Sequence, residues 1–267
     1  MSVADVLDQV AAGQLADYDR HCPGHLLVEG HALTIPEAYG VQFRVAALRH
    51  SRGEPVAGYK IGCMSETVRA QLGLDRPVFG HVFETEIHSS GCLLDLSRYD
   101  GLAIEGEFAV RLACDIPGAA WLHAHGQEAI AAFFPVIELH NYVFRGSSGR
   151  ASELIANNAF HAGLVVPLFE ERLRQSEDLM NQPISVWLNS EKRGSSQSGA
   201  IPGGPLASVR ALATHLEHFG IRLQRGQLVL TGSPLPLYPV NPGDHVEVRC
   251  GRLPGVAAGI LLGDKAG

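Results

Sequence analysis

Residues 103–110, Ala103-Ile104-Glu105-Gly106-Glu107-Phe108-Ala109-Val110, set two carboxylates two residues apart inside an apolar run. In a strand, alternate side chains share a face, so Glu105 and Glu107 point the same way. Like charges side by side repel, and a shared proton, a basic neighbour or a divalent cation must offset them. Gly106 leaves the opposite face of the strand without a side chain. A second apolar run, Phe133-Phe134-Pro135-Val136-Ile137-Glu138-Leu139, carries a third carboxylate, Glu138. Three strand-borne carboxylates with no cysteine pair read as a hard-cation, oxygen-ligand site for Mg²⁺ or Mn²⁺. The competing reading is a solvated strand face with Glu at alternating positions.

The rest of the composition narrows the class. A chain of 267 residues with 46% hydrophobic and 18% charged residues has enough apolar content for a large core. Net charge of -7 and the lack of a dense Lys/Arg run argue against a nucleic-acid partner. The five cysteines (Cys22, Cys63, Cys92, Cys114, Cys250) are scattered, odd in number and form no C-x-x-C pair, which fits reduced thiols. No apolar run reaches membrane-spanning length and the first residues carry no leader pattern, so a soluble, cytoplasmic protein without a membrane partner is expected. Thirty Gly and fifteen Pro point to many turns and short strands.

In chain order, residues 2–18 and 34–50 read as helices, the second with Thr34 as N-cap and Glu37 completing a capping box. Residues 1–55 are therefore expected to form a helical segment packed on a β-rich domain, 56–267. Val56-Ala57-Gly58-Tyr59-Lys60-Ile61-Gly62 reads as a strand. Lys60 inside it is either a cation aimed at a carboxylate, with a depressed pKa, or a snorkelling surface Lys. Ser65 to Leu72 reads as a short helix, and Gly73 to His81 as a loop in which His81 is an acid/base, a ligand or one of the structural members among thirteen His. Ile87 to Leu96 reads as a strand pair and Gln127 to Phe134 as a short helix. His140 shares the strand parity of Glu138 and is either a group supporting that carboxylate or a core His. Residues 152–163 are rich in small and amide side chains and read as backbone donors near the site or as a helix end and turn. Arg193 to Gly199 reads as a polar loop, and Pro205 to Phe219 as the clearest helix, stopped by Gly220.

Gly58-Tyr59-Lys60-Ile61-Gly62, Gln71-Leu72-Gly73-Leu74-Asp75-Arg76-Pro77-Val78-Phe79-Gly80, Glu105-Gly106-Glu107-Phe108-Ala109 and Glu138 together resemble the 2-keto-4-pentenoate hydratase and 4-oxalocrotonate decarboxylase family of the fumarylacetoacetate hydrolase superfamily. The order continues through Asn158-Ala159, Gly204-Pro205-Leu206, Leu230-Thr231-Gly232 and Pro242-Gly243-Asp244, so the resemblance spans most of the chain. It implies an α+β fold, a mixed β-roll or barrel-like core with N-terminal and peripheral helices, and a homo-oligomer. It also implies a divalent metal on Glu105, Glu107 and Glu138, with Lys60 as the strand lysine. The implied substrate is a small 2-hydroxy-dienoic or 2-oxo-enoic acid from aromatic meta-cleavage, chelating through its carboxylate and 2-oxygen.

The implied reaction is hydration. Tautomerisation gives the 2-oxo-enoate, and water adds at C4, with Lys60 steadying charge or relaying a proton. Thr231, Asn158 and Ser198 of the 194–199 loop are the expected substrate contacts. Four positions depart from the family pattern: Val78 stands where an Asp is common, Asn141 and Val143 stand where Asp and Arg are common, and Asn157 stands where the family's Asp-Asn-Ala has Asp. His81 and His161 are the expected replacements in proton transfer, and Arg145 the replacement for the Arg. The alternatives are a 4-oxalocrotonate-type decarboxylase using the same enolate, a non-catalytic 2-oxo acid-binding homologue, and a C–C hydrolase. The hydrolase would need a His–Glu pair, and the sequence identifies none.

Overall fold

A computed structural model describes residues 2–23, 33–141, 150–170 and 179–263. Two helices open the chain, α1 (Val3–Asp19) and α2 (Ile35–Ser51). Each begins in a capping box, Ser2 with Asp5 and Thr34 with Glu37, which satisfies backbone donors that a helix start leaves free. The strand β1 (Val56–Gly62) follows, then α3 (Glu66–Leu72), ended by Gly73 in the left-handed conformation at φ 70. Then come β2 (Val78–Phe83), β3 (Ile87–Ser89), β4 (Cys92–Asp95) and β5 (Leu102–Leu112). The short α4 (Leu122–His125) leads into β6 (Ile130–Asn141), α5 (Arg150–Ala156) and β7 (His161–Val166). A hairpin, β8 (Pro183–Leu188) and β9 (Glu191–Gln197), precedes α6 (Gly204–Glu217). The chain closes with β10 (Leu228–Leu230), β11 (Tyr238–Pro239), β12 (His245–Cys250) and β13 (Leu253–Leu261).

The strands form two mixed sheets. The larger runs β2-β1-β10-β5-β6-β7-β3, with β11 also paired to β5, and the smaller runs β4-β13-β12-β8-β9. The larger sheet curls, bringing β2 into contact with β7 although four strands lie between them. Val82, Ala109, Phe134, Val136, Leu164 and Leu230 come from five strands of this sheet and meet in one cluster on its inner face. The outer face packs against the smaller sheet and against α1 and α2, whose Leu7, Val10, Tyr39 and Val41 belong to the same core as Ile104, Phe108, Val186 and Val248. The result is the mixed, half-barrel β-roll with peripheral helices. Among the described residues, no helix is long and apolar enough to cross a membrane.

Three segments differ from the sequence reading. Gln127 to Phe134 is not a helix: β6 starts at Ile130 and pairs along the length of β5. Both faces of β6 are buried, so its apolar run lacks the alternation that marks a half-exposed strand. The loop after α3 ends at Pro77, and Val78 to His81 lie in β2. Arg193 to Gln197 is strand rather than loop, paired with β8 across a turn in which Asn189 and Ser190 both take positive φ. Val143 and Arg145 lie outside the described residues.

Gly106 fixes how closely the two sheets approach. A Cβ built there would stand 2.5 Å from Val186 Cγ2 and 3.3 Å from Val248 Cγ2, both on buried side chains of the smaller sheet. Gly106→Ala is expected to lower unfolding stability by about 1–3 kcal/mol through overpacking, read as a lower urea midpoint. An unchanged midpoint would remove the sheet contact from the argument.

His81 gives a second expectation. Its ring lies among Phe43, Tyr59, Phe79 and Phe83, with Nδ1 buried and unpaired, and burial pushes its pKa down to about 4. Between its unfolded pKa near 6.5 and about 4, the unfolded chain binds a proton that the folded chain does not, so stability falls as pH falls through that window. Urea unfolding at pH 7 and pH 5 should show His81→Phe losing about 1–2 kcal/mol less than the parent protein over that step.

Candidate active site

The inner face of the curled sheet gathers the charged residues. In the antiparallel β5–β6 pair, Glu105 stands directly opposite Glu138 and Ala103 opposite His140. Strand alternation places Glu107 on that same face. Lys60 joins it through the register of β1 on β10, Lys60 with Leu230, and of β10 on β5, Leu230 with Ala109. Its Nζ lies 3.3 Å from Glu138 Oε1. A Cβ at Gly62 would stand 3.3 Å from Nζ, so the glycine leaves the ammonium its space. His161, at the start of β7, brings Nδ1 to 2.7 Å from the same Glu138 oxygen. His140 Nε2 lies 3.2 Å from Glu138 Oε2 and 3.4 Å from Glu105 Oε2.

These groups are almost entirely out of water. Glu107 and Glu138 are 0% and 1% exposed, whereas the Glu105 side chain keeps 18%, so the cluster opens on the Glu105 side. Burial drives the Glu107 carboxyl well above the ordinary range, and the neighbouring Glu138 and Glu105 charges push it further. Burial acts on Glu138 in the same sense, yet Lys60, His140 and His161 outweigh it and hold Glu138 well below that range. Burial would lower the Lys60 pKa, but Glu138, Glu105 and Glu107 turn the shift upward. The expected depression of Lys60 is thus reversed, and the residue is a firmly charged ammonium. His140 likewise rises to about 9 against its burial, through the Glu138 and Glu105 carboxylates.

One segment pins this arrangement from the side. After β10, Thr231 N–H and Oγ1 both donate to Phe108 O, and Ser233 Oγ donates to Gly106 O. Between them the Gly232 N–H donates to Glu107 Oε1. Gly232 holds φ 92, a conformation that glycine adopts without a Cβ penalty.

The remaining expected contacts are placed elsewhere or otherwise occupied. His81 pairs with Tyr59 across β1 and β2, which puts it on the face opposite Lys60, beneath α2. The Asn158 side chain accepts from His81 N–H and donates to His81 O, so both ends of its amide serve the backbone of β2. The Thr231 hydroxyl is spent on Phe108, and the buried Ser198 Oγ accepts from Gln182 N–H. Val78 registers with Gly62 and therefore shares the Lys60 face. Two contacts escape the sequence reading. His140 shares the parity of Glu138, but only the β5–β6 register shows that Ala103, with its small side chain, stands opposite it and leaves the ring free to reach Glu105. The His–Glu pair not identified in the sequence is His161 with Glu138, 23 residues apart and joined only by the β6–β7 pairing.

The donor set includes a group that could hold a divalent cation. Atoms of Glu105, Glu138 and His140 lie within 4.8 Å of one another, and Glu107 Oε2, His140 Nε2 and His161 Nε2 are buried without a hydrogen-bond partner. Buried polar atoms left without a partner are costly, and a ligand or ion is one way to satisfy them.

Known proteins share this framework. A 2-hydroxyhexa-2,4-dienoate hydratase of Comamonas testosteroni is 28% identical over 226 residues, 83% of this chain and 85% of that protein. A 2-keto-4-pentenoate hydratase of Burkholderia vietnamiensis is 30% identical over 204 residues, 76% of this chain and 78% of that protein. The structure of 4-oxalocrotonate decarboxylase from Pseudomonas putida G7, complexed with calcium and acetate, superposes with a TM-score of 0.85 at 23% identity, covering 98% of this chain and 99% of that one. The family model described as fumarylacetoacetate (FAA) hydrolase C-terminal matches residues 78–261, from the first residue of β2 to the last of β13. The chain therefore belongs to the fumarylacetoacetate hydrolase C-terminal family.

Proposed function

We propose that this chain is a divalent-metal-dependent hydratase that adds water to a 2-hydroxy-2,4-dienoate such as 2-hydroxypenta-2,4-dienoate, in the catabolism of aromatic meta-cleavage products. The observation that carries the reading is the buried carboxylate cluster of Glu105, Glu107 and Glu138 with Lys60 and His161 against it. Hydratases among the relatives support the reaction class.

Mg²⁺ or Mn²⁺, held by Glu105, Glu107 and Glu138, would supply Lewis-acid stabilisation of the negative charge that develops on the 2-oxygen. Lys60 Nζ, charged and fixed by Glu138, offers a second positive group to the substrate carboxylate or to that oxygen. His161 is oriented through Nδ1 by Glu138, which leaves Nε2 as the free, buried atom able to carry a proton. In the overall change, the 2-hydroxyl proton leaves and C5 gains one, giving the 2-oxo-3-enoate. Water then adds its oxygen at C4 while C3 takes a proton, yielding the 4-hydroxy-2-oxo acid. Each proton move is within the capacity of a histidine or lysine already on the inner face.

A second reading, a 4-oxalocrotonate-type decarboxylase, draws on one observation. Val78 puts an apolar side chain on the Lys60 face where the resemblance leads one to expect an acid/base carboxylate. Loss of CO₂ needs the same electron sink but no base to activate water.

With Mg²⁺ or Mn²⁺ present, the protein should remove the dienol absorbance of 2-hydroxypenta-2,4-dienoate and form 4-hydroxy-2-oxopentanoate. Glu107→Gln should lower kcat/KM at least about a hundredfold. Release of CO₂ from 4-oxalocrotonate, with no hydration of the dienoate, would replace the first reading with the second.

A further inference from the structure

The expected metal ligands are three carboxylates, but the structure places a nitrogen donor among them. His140 is 6% exposed, and its Nε2 stands 3.2 Å from Glu138 Oε2 and 3.4 Å from Glu105 Oε2. Among the described residues, Nε2 makes no well-aligned hydrogen bond, to either of these oxygens or elsewhere. The ring edge is thus aimed between two carboxylates rather than along a hydrogen bond to either. Adjacent ligands on an octahedral ion with bonds of about 2.1 Å lie about 3 Å apart, and both separations approach that edge length. The same three atoms fall within 4.8 Å of one another. Ala103 opposite His140 has only a methyl group, so nothing on β5 fills the space that the ring leans across.

We propose that His140 Nε2 is a direct ligand of the cation, turning an all-oxygen site into a mixed nitrogen–oxygen site completed by Glu105 and Glu138. The inference rests on the metal-dependent reading above and concerns its metal. Imidazole nitrogen adds little for Mg²⁺ or Ca²⁺, more for Mn²⁺, and most for Co²⁺ and the later first-row ions. The site therefore selects a transition ion over Mg²⁺. Glu107, held by Gly232 N–H on one oxygen and unpartnered on the other, stays available as a further oxygen ligand. His161, with Nδ1 on Glu138, sets the direction of that carboxylate.

The test is pulsed electron paramagnetic resonance on the full chain loaded with Mn²⁺, alongside calorimetric titration with Mn²⁺ and with Mg²⁺. The parent protein should show nitrogen modulation from a coordinated imidazole. His161→Gln should keep it and His140→Gln should lose it, with His140→Asn as a second variant should the first not fold. His140→Gln should weaken Mn²⁺ at least about tenfold while moving Mg²⁺ far less. A parent protein that binds Mn²⁺ without nitrogen modulation overturns the ligand role of His140 and leaves the hydratase reading standing. Equal weakening of both ions in His140→Gln overturns it as well, because His140 would then act as a general charge partner. A parent protein that binds Mg²⁺ but no Mn²⁺ overturns the His140 inference alone, and one that binds neither ion overturns both readings together.

Discussion

Two glutamates directly opposite each other on neighbouring buried strands, Glu105 and Glu138, are the constraint that the rest of the site answers. Like charges in that cross-strand position destabilise a sheet, and burial of Glu138 removes the water that would soften the repulsion. The structure meets this with basic groups from one further strand and from the pair itself: Lys60 from β1 and His140 from β6. Glu107 responds differently: burial beside the Glu138 and Glu105 charges pushes its carboxyl well above the ordinary range. The cluster is thus near balance only because every member is in place. An assembly that draws in positive charge this strongly is also one that accepts a divalent cation, so the electrostatic cost of the arrangement and its proposed use have the same origin.

β5 serves two masters through its alternation. Its inner side chains, Glu105 and Glu107, face the cluster, and its outer ones, Ile104 and Phe108, belong to the main core. Gly106 lies between them on the outer side, where Val186 and Val248 of the smaller sheet take the space. The sheet contact therefore acts as the backing of the carboxylates: pressing the smaller sheet against Gly106 fixes the strand from which both glutamates project. The backbone of β5 is held a second time by Thr231 and Ser233, while Gly232 holds the Glu107 side chain itself. Positioning at this level, from rigid strands rather than loops, is what proton transfer and substrate chelation require.

Much of this was legible in the residues. The spacing of Glu105 and Glu107 states that they share a face, the boundaries of β1 follow from its flanking turns, and the capping box at Thr34 fixes where α2 begins. What spacing does not state is register. That Glu138 stands opposite Glu105, or that His140 reaches both, depends on how far β6 slides along β5, and both faces of β6 are apolar enough to hide that the strand begins as early as Ile130. His81 shows the same limit from the other side. As part of a loop it could have faced anything, but as the partner of Tyr59 in β2 it is committed to the face beneath α2. Asn158, Thr231 and Ser198 are polar residues near the right elements, and their hydrogen-bonding capacity goes to the backbone.

The use of Asn158 explains how His161 comes to be where it is. Asn158, Ala159 and Phe160 all take left-handed backbone angles, with φ of 55, 52 and 58. Such a turn costs about 1–2 kcal/mol per residue for side chains other than Gly and Asn, so something must hold it. The hold is the double hydrogen bond from the Asn158 amide to His81 of β2, at a point where Gly80 lets the two backbones meet: a Cβ there would stand 2.5 Å from Asn158 O. This contact joins β2 to the segment entering β7 and so closes the curl of the sheet. The residue that immediately follows the strained turn is His161, delivered onto Glu138 from the strand that the closure brings round. The strain is therefore placed where barrel closure and site assembly coincide, and His161 reaches Glu138 because the sheet is closed at Asn158, three residues earlier.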